Sequence, residues 1–385
     1  MPCDFDVDAI LKHVRPAEPL PPPEGVVVRV KTGAELHAAL LDAKAHSTIL
    51  LDDGHYRVPR DMLLAQSDVT VRSASGNREA VVIDGEGADL TQGYHPGGHA
   101  PAILRLKRAR NVTIADVTFR NSPKYAVMFY GDSEVHGLNV YNVKFHNIWV
   151  RGLKGTHPAR PDDRDLGERN YPAEKVEAVR PANGRVRHCL FLCDHVKTDR
   201  EDGFDGDYIS GIDCMGLKDW RFSDNAFVGI RGANGGGRAG IFVWVGSSGV
   251  VCERNLFVGC DRGISFGNPS QTVPGVSGGT IRDNRFCCGA GKAIEVCGSP
   301  EIDVHGNIVF DPGINRFFAV QFHMGNPGTR CHGNVLLGPL ASDATVVFER
   351  NVIGHGGREW FADPERGDFA LTEKGRKAVG ESLCL

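Results

Sequence analysis

A four-residue motif recurs along most of this chain and restricts it to a stacked architecture: a small residue, an aliphatic, one variable residue, then an aliphatic or aromatic. It reads Ala126-Val127-Met128-Phe129, Gly152-Leu153-Lys154, Gly211-Ile212-Asp213-Cys214, Gly240-Ile241-Phe242-Val243, Gly263-Ile264-Ser265-Phe266, Ala293-Ile294-Glu295-Val296 and Ala319-Val320-Gln321-Phe322. Successive first aliphatics lie 26, 59, 29, 23, 30 and 26 residues apart, and every interval except the 59 fits one coil of a solenoid. A second series runs in step with the first: Asp116 before Phe119, Asn142 before Phe145, Asn225 before Phe227, Asn255 before Phe257, Asn284 before Phe286, Asn307 before Val309. In most coils it follows by 13 to 15 residues, so each coil holds at least two short strands joined by bends. Short β-branched runs, 48 Gly and no long stretch of period 3.6 exclude an α-solenoid and predict an all-β parallel coil.

Three segments carry a resemblance to a known family. Val28 to Leu40, with Ile49 to Tyr56, resembles an N-terminal helix and first strand that cap a solenoid. Gly240 to Val245 and Glu253 to Gly267 look like two successive coils, and Trp360 to Leu371 looks like a closing tail. Together they resemble the right-handed parallel β-helix, or pectate-lyase-like, superfamily, and in particular its bacterial members. That resemblance implies an all-β right-handed parallel β-helix with a short N-terminal capping helix and a C-terminal closing segment. Residues 1–25 read as a leader, residues 26–385 as a single domain, and residues 372–380 as a closing helix over the last strand edge. The superfamily includes lyases, hydrolases, epimerases and inert structural proteins, so the fold alone does not choose a chemistry.

Composition narrows the partners. A net charge of −4 implies no nucleic acid. No apolar run approaches a membrane span, and Met1 to Asp6 lacks the basic start and hydrophobic segment of a secretion signal. The expectation is a monomer inside the cell, or an exported one whose signal has been removed. The 11 cysteines lack metal-type spacing and read as buried small hydrophobes.

Chemistry is expected on the outward residues. Side chains alternate along a strand, so the variable residue between two inward aliphatics points out, and stacking turns these residues into a column with about 4.8 Å per coil. The column reads Arg105, Met128, Lys154, Asp213, Phe242, Ser265, Glu295 and Gln321, and a parallel one holds Tyr130, Trp244 and His323. The preceding residues, Ala126, Gly152, Gly211, Gly240, Gly263, Ala293 and Ala319, are all small and predict an open floor beside the column, a groove for an extended polymer.

The interval of 59 residues places an insertion, at about 155–210, over this groove. It makes Lys154 and Asp213 neighbours on adjacent coils. Lys154, crowded by Arg151 and Arg238, is the candidate general base, and Asp213 would orient it or hold a cation. The plain alternative is an exposed salt bridge worth at most about 1 kcal/mol. Such a pair suits β-elimination from a uronate polysaccharide, in which the substrate carboxylate must be neutralised before the C5 proton can leave. Arg105, Arg151, Arg231 and Arg238 could neutralise it, while Tyr130, Phe242, Trp244, Glu295, Gln321 and His323 would contact the sugar. Asp202, Asp205 and Asp207 could hold Ca²⁺, although the spacing is not that of an EF-hand and a solvated acidic loop is the preferred reading of it. The resemblance also implies lyases that use calcium. The aspartate set and Gly-His-Gly of polygalacturonases are out of order here, and the Asp-Pro-His-Asp of mannuronan epimerases is missing. A lyase acting on an acidic polysaccharide is therefore preferred. A hydrolase or epimerase using Asp213 and loop carboxylates, and a non-catalytic carbohydrate-binding protein, are the alternatives.

Overall fold

The computed structural model describes residues 5–58, 62–85, 102–122, 124–157, 173–197, 204–271, 273–289, 291–310 and 318–380. Three long parallel sheets run the length of the molecule, of twelve strands (sheet 1), eleven strands (sheet 2) and ten strands (sheet 3). The chain visits sheets 3, 1 and 2 in turn, and each strand pairs with its counterpart one coil away. Most strands are three to six residues long because a bend follows every few residues.

The bends are set by the Asn series. Asn225 Oδ1 accepts from Cys189 N at 2.9 Å, and its backbone N and Nδ2 donate to Oδ1 of Asn255, at 3.1 and 2.9 Å, one coil further on. The same pattern links Asn255 to Asn284, Asn284 to Asn307, Asn307 to Asn334 and Asn334 to Asn351. Each amide also donates to a neighbouring carbonyl, so buried polar groups at the corner are satisfied coil after coil. The residue before each Asn is left-handed: Asp224, Arg254, Asp283, Gly306, Gly333 and Arg350 all have φ between 48° and 64°.

Inside the coil, sheet 2 contributes a ladder of stacked rings, Phe145, Phe191, Phe227, Phe257 and Phe286, with neighbouring centroids 4.5 to 4.8 Å apart. Here the structure corrects the expected floor. The small residues of the repeat face this ladder rather than solvent: a Cβ on Gly211 would lie 2.8 Å from the Phe227 ring, and one on Gly240 2.6 Å from Phe257. In strands Arg151–Gly155, Ser210–Met215 and Ala239–Trp244 the small residue is the second and drops out of the pairing register, so it faces inward together with the aliphatic that follows it. The small residues make room for phenylalanines instead of for a polymer.

Helix Gly33–Leu41, capped by Thr32, buries Leu36 and Leu40 against the first coils, where a cap was expected. Part of the 1–25 segment touches the coil: helix Val7–Leu11 buries Ile10 on the outer face of sheet 2, and the Tyr141 hydroxyl donates to Glu18 O at 2.5 Å. Helix Glu373–Val379 forms as expected, but its Val379 joins Phe361 and Phe369 on that same outer face. Val347 and Ile353, on the last coil, remain about half exposed, so this helix does not hide the final strands. The nine described cysteines are buried free thiols. No helix among the described residues is long and apolar enough to cross a membrane.

The insertion is two insertions. One follows strand Arg151–Gly155, carries helix Ala173–Val179 and is pinned by Arg180, which donates to the carbonyls of Gly216, Leu217 and Gly246. The other precedes strand Ser210–Met215 and includes Phe204 and Tyr208. Residues 158–172 and 198–203 lie outside the described residues, and with them Asp202.

Candidate functional site

Sheet 3 pairs its outward residues in the order expected. Arg105 faces Met128, Met128 faces Lys154, Lys154 faces Asp213, Asp213 faces Phe242, Phe242 faces Ser265, Ser265 faces Glu295, and Glu295 faces Gln321. The column is not exposed, however. The side chains of Lys154 and Asp213 are 7% and 2% accessible, and Arg151 is 1% accessible. The pair is therefore a buried cluster rather than a surface salt bridge.

Asp213 is its centre. Arg151 Nε donates to Oδ2 at 2.7 Å, Lys154 Nζ lies 3.1 Å from the same oxygen, and Trp244 Nε1 donates to Oδ1 at 3.1 Å. Burial by itself would raise the carboxyl's pKa, but the charges of Lys154 and Arg151 outweigh it and hold Asp213 at about 2. For Arg151 burial pulls the other way, and Asp213 together with Tyr208 keeps the guanidinium above its ordinary value. Arg151 Nη1 donates to the carbonyls of Val150 and Tyr208 at 2.8 and 3.0 Å, whereas Nη2 is buried without a hydrogen-bond partner.

Residues beyond the column cover the cluster. The Tyr208 ring lies under the Arg151 guanidinium at 4.0 Å, Phe204 stacks on Tyr208 at 4.5 Å, and Arg238 sits 4.7 Å over Phe204. Arg238 is held below the usual arginine range by burial and by the neighbouring charges of Arg151 and Arg262, so a third cation belongs to this region. Tyr130 and Tyr208 pack against Tyr125, Met128 and Val150 on the coil beside it. Phe204 and Tyr208 were not singled out from the sequence. They precede the strand in an insertion, where alternation assigns no face.

The remaining predicted residues divide between places. Phe242 and Trp244 stack on each other at 5.1 Å and are buried with Met215 and Val245, so their faces are packed against protein. Glu295 sits three coils from Asp213, about 14 Å along the column. It accepts from Ser265, Arg262 and His323 at 3.1, 3.2 and 3.0 Å, and also pairs with Lys292. Gln321 is half-buried one coil beyond. Arg105 is half-buried two coils before Asp213's partner strand, and Arg231 turns the opposite way from Arg238, to lie 5.4 Å over the Phe5 ring.

The loop from Arg231 to Arg238 is built around carboxylates. Asp207 Oδ1 accepts from the backbone of Asn234 and Gly236, and Asp261 Oδ2 accepts from Gly232 and Gly237. A Cβ on Gly232 would sit 2.1 Å from Asp207 Oδ1, which explains a glycine there. Asn234 Nδ2 donates to Asp205 O at 2.7 Å. Asp205 and Asp207 thus tie two loops together with the oxygens that were candidate calcium ligands.

A family model described as "Right handed beta helix region" matches residues 185–336. The chain is a right-handed parallel β-helix. Solved β-helix structures similar to it include an alginate lyase from Paenibacillus sp. str. FPU-7, at 14% identity and TM-score 0.51, covering 85% of this chain and 99% of that one. Another is the tailspike protein of E. coli bacteriophage HK620 in complex with a pentasaccharide, at 12% identity and TM-score 0.54, covering 82% of this chain and 55% of the tailspike. At such identities the likeness is one of fold. No curated protein matches this β-helix by sequence.

Proposed function

We propose that this β-helix is a carbohydrate-active enzyme that cleaves a uronate-containing polysaccharide by β-elimination at the Arg151, Lys154 and Asp213 cluster. The observation that carries this reading is the unpartnered Nη2 of a buried Arg151. A buried guanidinium N–H without an acceptor costs free energy of about 1–3 kcal/mol or more, and an incoming carboxylate would recover it. Charge favours the same ligand: Arg151 faces one carboxylate with Arg238 close by, so the cluster keeps an excess of positive charge even once Lys154 has shed the proton it must lose to act as a base. The fold is also that of an alginate lyase and of a tailspike solved with an oligosaccharide.

In the proposed reaction Arg151 pairs with the substrate carboxylate and withdraws charge from it, which acidifies the adjacent C5 proton. Lys154 Nζ takes that proton, the electron pair forms the C4–C5 double bond, and the bond from C4 to the glycosidic oxygen breaks. Tyr208 or Tyr130 supplies the proton to the leaving oxygen, since both rings pack in the cluster's cover. His323 is five coils from Lys154, about 24 Å, too far to serve the same sugar. Entry of a polymer requires the Phe204 and Tyr208 cover to swing aside, a step of the kind that gates many enzymes.

Hydrolysis is disfavoured by the same geometry. An inverting glycosidase needs a protonated carboxyl about 6.5–9.5 Å from a second one. Asp213 at about 2 is no acid at neutral pH, and Asp207 is spent on backbone amides. The test is a screen of uronate polysaccharides followed by ultraviolet absorbance, with and without a chelator. The expected result is growth of the unsaturated-uronate band, abolished in Lys154→Gln and Arg151→Lys with the fold verified by circular dichroism. New reducing ends without the band would mean hydrolysis, and binding without turnover would mean a carbohydrate-binding module. Either outcome, or an active Lys154→Gln, overturns the assignment.

A further inference from the structure

Sheet 1 holds a second group of chemically capable side chains, well away from sheet 3. Asp303 and His305 are two residues apart on strand Asp303–His305 and so share one face. His332, on strand Arg330–His332, is in register with His305 one coil later. Three groups separated by up to 29 residues in sequence therefore meet on the outer face of the coil, with one candidate ligand atom from each lying within 4.8 Å of the others.

We propose that Asp303, His305 and His332 bind a divalent transition cation of the Zn²⁺ class. His332 Nε2 lies 2.8 Å from Asp303 Oδ1, and His305 Nδ1 lies 3.4 Å from Asp303 Oδ2. Metal bonds of about 2.0–2.2 Å hold tetrahedral ligand atoms about 3.3–3.5 Å apart, so small side-chain rotations complete the set. Hydrogen bonding alone leaves the group unfinished: it satisfies His332, but His305 Nδ1 is buried and has no hydrogen-bond partner. A metal would take that nitrogen's lone pair.

The surroundings leave the aspartate free for this task. Arg282, in register with His305, donates to Glu253 at 2.8 Å, and Arg330, in register with Asp303, pairs with Glu349 at 2.8 Å. Each nearby arginine thus has its own carboxylate, and the ion-pair partners of Asp303 among the described residues are the two histidines. Glu349 is in register with His332 and completes the charged rim. Accessibility of the three side chains, 44%, 28% and 20%, leaves an entry path and room for water in a fourth position. Two imidazoles favour a borderline transition metal over Ca²⁺ or Mg²⁺, which prefer all-oxygen sites.

The experiment is isothermal titration of tag-free, chelator-dialysed full chain with ZnCl₂, beside the double variant His305→Asn/His332→Asn. Expected are one Zn²⁺ per chain, binding at least about 100-fold weaker in the variant, more than loss of a merely supporting group costs, and a Zn²⁺-dependent rise in Tm that the variant lacks. CaCl₂ should produce neither signal. Asp303→Asn is the second variant, with the same expectation should the double variant fail to fold. Absence of stoichiometric uptake by the unaltered protein, or equal uptake by a folded variant, overturns the site. Neither result bears on the sheet 3 cluster.

Discussion

Asp213 and Glu295 stand in the same outward column, three coils apart, and both are buried carboxylates held at about 2 against the effect of burial, Asp213 by the charges of Lys154 and Arg151, Glu295 by its hydrogen bond with His323 and the charges of Arg262 and Lys292. Their settings differ in completion. Glu295 accepts from Ser265, Arg262 and His323 and pairs with Lys292, and its basic partners are 20% to 26% accessible, so water can finish their hydrogen bonding. The Asp213 cluster is sealed, with Arg151 at 1% and Lys154 at 7%, and one of its guanidinium nitrogens has no acceptor. Identical position in a repeat thus yields a closed clamp in one place and a cluster with one unmet guanidinium nitrogen in the other. Burial and the count of donors separate them, not residue type.

That contrast is open to measurement. Asp213→Ala should have the largest effect, a loss of about 3–5 kcal/mol in denaturant unfolding, because it strands two cations without a counter-charge. Trp244→Phe keeps a ring in the stack and removes the bond to Asp213, so about 1.5–3 kcal/mol should be lost. Glu295→Gln should cost less, about 1–2 kcal/mol, since its partners can turn to water. If Glu295→Gln proved the more damaging substitution, the distinction between the two carboxylates would fail.

Acid titration reads both groups together. Each folded-state pKa is depressed below the ordinary carboxylate value, so the stability each contributes is complete above about pH 4 and is lost as pH falls towards about 2. Melting followed through that window should steepen in the unaltered protein and flatten partly in Glu295→Gln. The smallest effect, at most about 1 kcal/mol, is expected for His323→Gln, whose side chain is 26% accessible, so that water can replace part of its bond to Glu295.

Much of the architecture can be read from spacing. The repeat of Gly-Ile-x-Val with the Asn series gives the coil length, the strands and the order in which Met128, Lys154, Asp213 and Phe242 meet, because strict parallel pairing carries a one-dimensional period directly into neighbours in space. The Asn ladder was legible for the same reason. The site was legible only as a list: alternation named Lys154 and Asp213 but could not name Tyr208 or Phe204, which reach the cluster from an irregular segment.

The sequence by itself determined the coil, its register and the identity of the residues in each column, since these depend on periodicity alone. Only the tertiary structure decided which way a bend turns its glycine and which faces lose water. Gly211 and Gly240 point inward because the phenylalanine ladder of another sheet needs the space, and the Asp213 cluster is dry because Phe204 and Tyr208, in the irregular segment before its strand, fold over it. Both outcomes are set by volume and cover between sheets, quantities that no single strand encodes.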